Sequence, residues 1–273
     1  MVLNNLVILL INIFLLQERS QMKLLIDVGN SQTKIGIWNY GRLSNVSLSE
    51  TKNFLKNISR YKKKSINEVY ITSVISSKEN KKLQTYIERN FKVKSKQIKS
   101  TKSLIGVKNG YKQPSKLGND RWCTIVGAYN LFKVPLIIVD CGTAISIDCV
   151  NGYGQHLGGY ILSGFDGYSK SFSNADKLKK IKLNKKNIKN NLATAKNTKD
   201  ALLSGYMLMV TSAIEKIFKQ LQIKIRKKPL LILTGAYGKQ ISSHLSIPVK
   251  NEPNLVLKSL GVISDRKNPF MNI

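Results

Sequence analysis

Cysteine, histidine and acid are all scarce in this chain. Cys123, Cys141 and Cys149 are the only cysteines, and none forms a C-x-x-C pair. An odd, scattered set of thiols argues against a disulfide scaffold and against a cysteine zinc site. His156 and His244 are the only histidines. Two are too few for a histidine metal centre and a poor start for a Ser-His-Asp triad. The familiar phosphate signatures are missing as well. There is no G-x-x-x-x-G-K-[ST] loop and no G-x-G-x-x-G turn. The Asp-Phe-Gly of protein kinases is absent too.

Acidic side chains number 15 against 45 Lys and Arg, a formal charge of +30. Such a balance raises nucleic-acid binding as a function. The lysines, however, are scattered in short runs such as Lys62–Lys64, Lys179–Lys180, Lys185–Lys186 and Lys227–Lys228. They do not interleave with aromatics, as stacking on bases requires. No zinc-finger or RNP-type motif accompanies them. The preferred reading is a lysine-biased solvated surface, which argues against nucleic acid as the partner. The charge would still attract ATP and an acidic substrate.

What is present is a globular composition. Hydrophobic residues make up 42% of 273, enough for one large domain or two modest ones. Leu6–Leu16 is an apolar run, LVILLINIFLL. It is about half the length that spans a bilayer, and it lacks the flanks of a signal peptide. Met1–Gln21 reads as an upstream extension, with Met22 as the natural start. A membrane-surface anchor is the competing reading. No membrane span is expected.

Periodicity predicts strands at Lys23–Val28, Thr33–Trp38, Glu68–Val74, Leu136–Val139, Ala144–Val150, Leu157–Leu162 and Leu230–Leu233. It predicts helices at Glu79–Asn90, Gly118–Phe132, Asp200–Leu221 and Asn254–Val262. The longest helix carries Leu203, Met207, Val210, Ile214, Ile217 and Leu221 along one face. Lys177–Asn191 has weak periodicity and reads as a loop. Trp122, Met207 and Met209 are expected in the core, and Asp148 is read as structural.

One pattern occurs twice. LLIDVGNSQTKIGIW and LIIVDCGTAISIDCV share an apolar strand, Asp, any residue, Gly, a small polar residue and a second strand. Asp27, Gly29 and Asn30 match Asp140, Gly142 and Thr143 at one constant offset. Matched copies point to two domains of similar topology; chance recurrence of a short strand–turn–strand piece is the alternative. The chemistry suits a nucleotide. Glycine at a tight turn lets backbone N–H groups approach a phosphate. An Asp at the strand end would be repelled by phosphate and instead suits a hydrated cation that bridges to it. Phosphoryl transfer depends mainly on positioning and charge neutralisation, which two such hairpins can supply.

These residues resemble the superfamily of acetate and sugar kinases, Hsp70 and actin, and within it type III pantothenate kinase. The pieces are Asp27-Val28-Gly29-Asn30-Ser31, Gly118-Asn119-Asp120-Arg121-Trp122, Asp140-Cys141-Gly142-Thr143-Ala144, and Gly158-Gly159-Tyr160-Ile161 before Gly164. Asn109-Gly110-Tyr111 ahead of Pro114, and Thr198 before the long helix, also fit. The resemblance runs from about Met22 to the C-terminus. It implies an α/β fold of two actin-like (ribonuclease H-like) domains facing each other across a nucleotide cleft. The expected bounds are 22–132 and 133–273, after the extension 1–21. The implied activity is ATP-dependent phosphorylation of pantothenate, the first step of coenzyme A biosynthesis. A cytoplasmic homodimer using ATP with magnesium and a monovalent cation, potassium or ammonium, is implied with it.

The resemblance also assigns residues. Asp27, Val28, Gly29, Asn30, Ser31, Gln32, Thr33 and Lys34 would form the first phosphate hairpin, and Thr143 would touch ATP. Asp120 would be the general base, against the alternative of a helix N-cap carboxylate. Tyr111, Gly118, Asn119, Asp120 and Arg121 would line the pantothenate pocket, with Arg121 suited to the substrate carboxylate. Thr198 would reach the substrate, in a dimeric family from either subunit. Asp140 would hold the monovalent cation, and Leu233-Thr234-Gly235-Ala236 resembles an adenosine-side turn. Two positions depart from the pattern: Ser163 stands where Pro is usual, and Asn119 where a small apolar residue is common. A non-catalytic regulatory relative and another small-molecule kinase are the alternative functions.

Overall fold

The protein is described here by a computed structural model, which covers residues 22–266 except 176, 179 and 185–193. The expected extension and part of the Lys177–Asn191 stretch lie outside the described residues. The chain packs as two compact units. Among the described residues, one comprises 22–99, Gly118–Cys123 and 256–266; the other comprises Ser100–Leu117 and the described part of Thr124–Leu255.

In the first unit, β1 (Lys23–Val28), β2 (Gln32–Asn39) and β3 (Arg42–Glu50) form an antiparallel meander. A short helix α1 (Phe54–Ser59) leads to β4 (Glu68–Ser73), which pairs parallel with β1. Helix α2 (Ser77–Phe91) then leads to β5 (Ser95–Gln97), parallel to β4. The sheet order is β3-β2-β1-β4-β5. The central strand explains itself from sequence. Leu24, Leu25, Ile26 and Val28 are fully buried, as a strand covered on both faces requires.

The second unit opens with a small ribbon, β6 (Ser103–Leu104) and β7 (Val107–Lys108). Helix α3 (Asn119–Phe132) starts in the first unit and runs into the second. The strands β8 (Leu136–Cys141), β9 (Ala144–Val150) and β10 (His156–Ser163) repeat the meander. After α4 (Phe165–Lys170) and α5 (Thr198–Ile225) come β11 (Leu230–Thr234), α6 (Gly238–Ser242) and β12 (Val249–Asn251). Both β11 and β12 run parallel in the sheet, whose order is β10-β9-β8-β11-β12. Helix α7 (Leu255–Asp265) closes the described chain.

The two sheets therefore share one strand order and one pattern of directions. Chance recurrence of a short turn does not produce that, and the sequence repeat is a repeat of whole sheets. The expected stripe on α5 is buried in full, together with Tyr206, Thr211 and Phe218. This helix is long and apolar enough to pass a membrane-span criterion. Its apolar face instead packs into the second core with Ile137, Val139 and Leu231, as in a core helix of a globular unit. Met209, expected in the core, lies on the opposite side of α5 and is 44% exposed. It falls one position off the buried stripe. Trp122 and Met207 are buried as expected.

The C-terminal helix is tied to the first strand of its unit. Asp265 accepts hydrogen bonds from Lys23 Nζ and Trp38 Nε1, both at 2.8 Å. Lys23 Nζ also donates to Ser264 O at 2.9 Å.

Candidate active site

In the first unit, Asp27 ends the buried run of β1 and is half-buried. The chain turns immediately after it, closed by the Gly29 N–H donating to Gln32 O at 3.0 Å. Asn30, Ser31 and Gln32 are exposed at the tip. Val28 points into the core, so only its backbone can face a ligand. Thr33 is also fully buried, and its hydroxyl lies 3.2 Å from that of Thr51. Lys34 is half-buried opposite Asp27 in the β1–β2 register.

Thr51 is a residue that sequence reasoning missed. Its hydroxyl donates to Gly29 O at 2.7 Å, and its N–H donates to Ser31 O at 3.0 Å. The turn after Asp27 is thus braced from the segment after β3. Nothing in the local Ser- and Lys-rich sequence marks that contact. Thr72 was missed as well. It stands beside Asp27 in the parallel β1–β4 register and is fully buried. Its counterpart in the other sheet is Thr234, beside Asp140.

Asp120 occupies the first turn of α3, half-buried, where the positive end of the helix favours a carboxylate. Its Oδ1 accepts the Arg121 N–H at 2.7 Å. Asn119 donates from Nδ2 to Ser73 O at 3.3 Å, which ties the start of α3 to the end of β4. The departure from a small apolar residue therefore has a packing role here. Arg121 is half-buried and Gly118 directly precedes this turn. One turn further, the buried Cys123 thiol is pushed well above its ordinary value by burial, then by the charges of Asp27 and Asp120. The two carboxylates, separated widely in sequence, thus act on one buried thiol.

In the second unit, Asp140 is the half-buried, penultimate residue of β8, and Thr143 is exposed at the following turn. The Gly142 N–H closes that turn on Ala144 O at 3.1 Å. The Thr234-Gly235-Ala236 turn packs directly against it. Gly235 has φ +83°, and a Cβ there would come within 2.6 Å of both Asp140 Oδ1 and Cys141 O. Only glycine fits so close an approach. The Asp140 carboxylate and the Cys141 carbonyl thus lie against the Gly235 backbone. Tyr111 is half-buried, with its ring 6.0 Å from that of His156 at 18°. Thr198 is exposed at the first position of α5.

Among the described residues no cluster of three or more His, Cys, Asp or Glu could hold a metal. Nucleotide-bound magnesium keeps most of its waters and needs only one or two carboxylates plus phosphate oxygens. A shallow basic groove of about 530 Å³ lies on α2, lined by Lys78, Lys81, Lys82, Tyr86 and Arg89. It contains none of these site residues.

The duplicated sheets, each with an Asp near the end of its central strand, define an actin-like α/β fold. Among solved structures, a Baf-family transcriptional activator from Campylobacter jejuni superposes with a TM-score of 0.59 at 21% identity, covering 89% of this chain and 97% of that one. Component A of (R)-2-hydroxyglutaryl-CoA dehydratase from Acidaminococcus fermentans gives 0.51 at 14%, covering 89% and 96%. The family model for type III pantothenate kinase matches residues 23–220, and the chain belongs to that family. A type III pantothenate kinase from Herminiimonas arsenicoxydans is 30% identical over 88% of this chain and 92% of its own length. One from Sulfurihydrogenibium is 29% identical over 88% and 98%. One from Azoarcus is 34% identical over 61% of each chain.

Proposed function

We propose that this chain transfers the γ-phosphoryl group of ATP to the primary alcohol of pantothenate, giving 4′-phosphopantothenate for coenzyme A synthesis. The observation that supports this best is the pairing of Asp27 near the end of β1 with Asp120 in the first turn of α3, in a member of this family.

A primary alcohol is a poor nucleophile at neutral pH. Asp120 accepts its proton as the alcohol oxygen bonds to the γ-phosphorus and the bond to the β-phosphate oxygen breaks. Asp27 would hold the hydrated magnesium of the nucleotide. The exposed N–H and polar groups of Asn30, Ser31 and Gln32 lie along the phosphates, braced by Thr51. Thr143 contacts ATP, and Lys34 lends positive charge. Magnesium, when bound, neutralises charge on the β- and γ-phosphates. Asp140 would hold potassium or ammonium. Tyr111, Gly118, Asn119 and Arg121 bind pantothenate, Arg121 at its carboxylate, and Thr198 contributes in a homodimer. Each of the two sheets belongs to one actin-like domain, and the enzyme works in the cytoplasm.

Coupled ADP release with pantothenate, sugars and acetate, with and without potassium, tests the reading. Turnover with pantothenate is expected, stimulated by potassium in wild type and insensitive to it in Asp140→Ala. Activity on a sugar alone overturns the substrate assignment. No activity, with tight salt-sensitive DNA binding, favours the regulatory alternative suggested by the +30 charge.

A further inference from the structure

We infer that His156 and Asp148 form a buried positioning pair that holds the Asn109-Gly110-Tyr111 turn, and with it the Tyr111 ring, for pantothenate. The assignment of the ligand rests on the reading of Tyr111 given above. The pair itself rests on geometry within the second unit.

His156 is fully buried and Asp148 is 3% exposed. Burying two polar side chains is costly unless each is bonded. The Gly110 N–H lies 3.3 Å from His156 Nδ1. A backbone N–H only donates, so Nδ1 must accept and carry no proton. The ring proton therefore sits on Nε2, which is 3.0 Å from Asp148 Oδ1. Asp148 thus selects the tautomer whose other nitrogen can receive Gly110. This is how a carboxylate orients an imidazole in many functional sites.

The strand is shaped for the task. The β9–β10 register slips between His156 and Gly158, a bulge of the kind that re-aims a side chain. The turn lies directly on this strand. A Cβ at Gly110 would come within 2.1 Å of His156 O and 3.2 Å of Gly158 N. The approach is fixed on either side of Gly110. Lys108 N donates to Gly154 O at 2.9 Å, and Tyr111 N donates to Asn109 Oδ1 at 3.0 Å. Asn109 Nδ2 in turn donates to Ser100 Oγ and Thr101 O, both at 3.1 Å. The Tyr111 ring then lies nearly parallel to the imidazole. Asp148, read from sequence as merely structural, acquires a role at the site through His156.

Two variants and one spectrum test the pair. His156→Phe keeps a flat ring but removes the acceptor for Gly110. His156→Asn offers an amide oxygen near the position of Nδ1. The expected result for His156→Phe is a KM for pantothenate raised about tenfold, the size of one net hydrogen bond. The KM for ATP and kcat stay within about twofold, and His156→Asn recovers most of the loss. Equal losses in both variants, or a loss shared by the KM for ATP and kcat, mean general packing damage and overturn the inference. Imidazole ¹⁵N shifts of the unmodified protein are expected to show the proton on Nε2 alone, with the Gly110 amide protected from exchange. A proton on Nδ1, or an unprotected Gly110 amide, overturns it even if the variants fail to fold. If the unmodified protein leaves pantothenate untouched, the substrate assignment falls, while the ¹⁵N and exchange measurements still decide the pair.

Discussion

Thr72 shows how one side chain can be read by the sign of its response. Its hydroxyl is fully buried and has no hydrogen-bond partner among the described residues. An orphaned buried hydroxyl costs free energy, and an apolar group of the same shape removes that cost. Thr72→Val is therefore expected to leave stability unchanged or raise it by about 1 kcal/mol, measured by urea denaturation. A loss of more than about 1 kcal/mol would mean that the hydroxyl is bonded after all. The sequence marked Asp27, Asp120 and Asp140, because a carboxylate beside a glycine turn or at a helix start leaves a local pattern. It did not mark Thr51, Thr72 or Cys123. Their relevance comes from strand register and from the turn of α3, which bring distant residues beside those carboxylates.

Elements whose burial is complete were the easiest to read. The strands β1 and β8 are apolar runs because both faces are covered, and the face of α5 repeats at helical spacing. The strand β3 went unseen for the opposite reason. It is an edge strand, Ser-rich and largely exposed, with Leu48 52% exposed and little alternation to reveal it. It exists because Tyr40 and Gly41, both at positive φ, form the two-residue turn that a tight hairpin uses. The short strands β5 and β12 owe their form to parallel neighbours rather than to their own sequence. The Asp27 turn depends on such a non-local contact too. Thr51→Val removes the hydroxyl that bonds Gly29 O, at a cost of about 1 kcal/mol. Its expected signature is a raised KM for ATP with an unchanged KM for pantothenate, read from initial rates. An unchanged KM for ATP would contradict the bracing role.

Across the whole molecule, the buried thiols set a pH response. Burial first, then the charge of Asp148, pushes the Cys149 thiol up to about 12 from an ordinary 9.0. Burial also raises Cys141, with Asp140 adding to it, and Cys123. Unfolding exposes thiols that lose their protons near the ordinary value, so above it the unfolded state binds fewer protons. Stability is therefore full below about pH 9 and falls as pH rises from there towards 12. The urea midpoint is expected to be lower at pH 10 than at pH 8; an equal or higher midpoint contradicts the burial of these groups. The most direct test of the central claim is turnover of ATP with pantothenate by the wild type and by Asp120→Asn. The account predicts turnover in the wild type, a loss of about 10²–10⁴-fold in Asp120→Asn, and the same melting temperature for both. Near-normal turnover in Asp120→Asn, or a wild type that phosphorylates a sugar and not pantothenate, would contradict it.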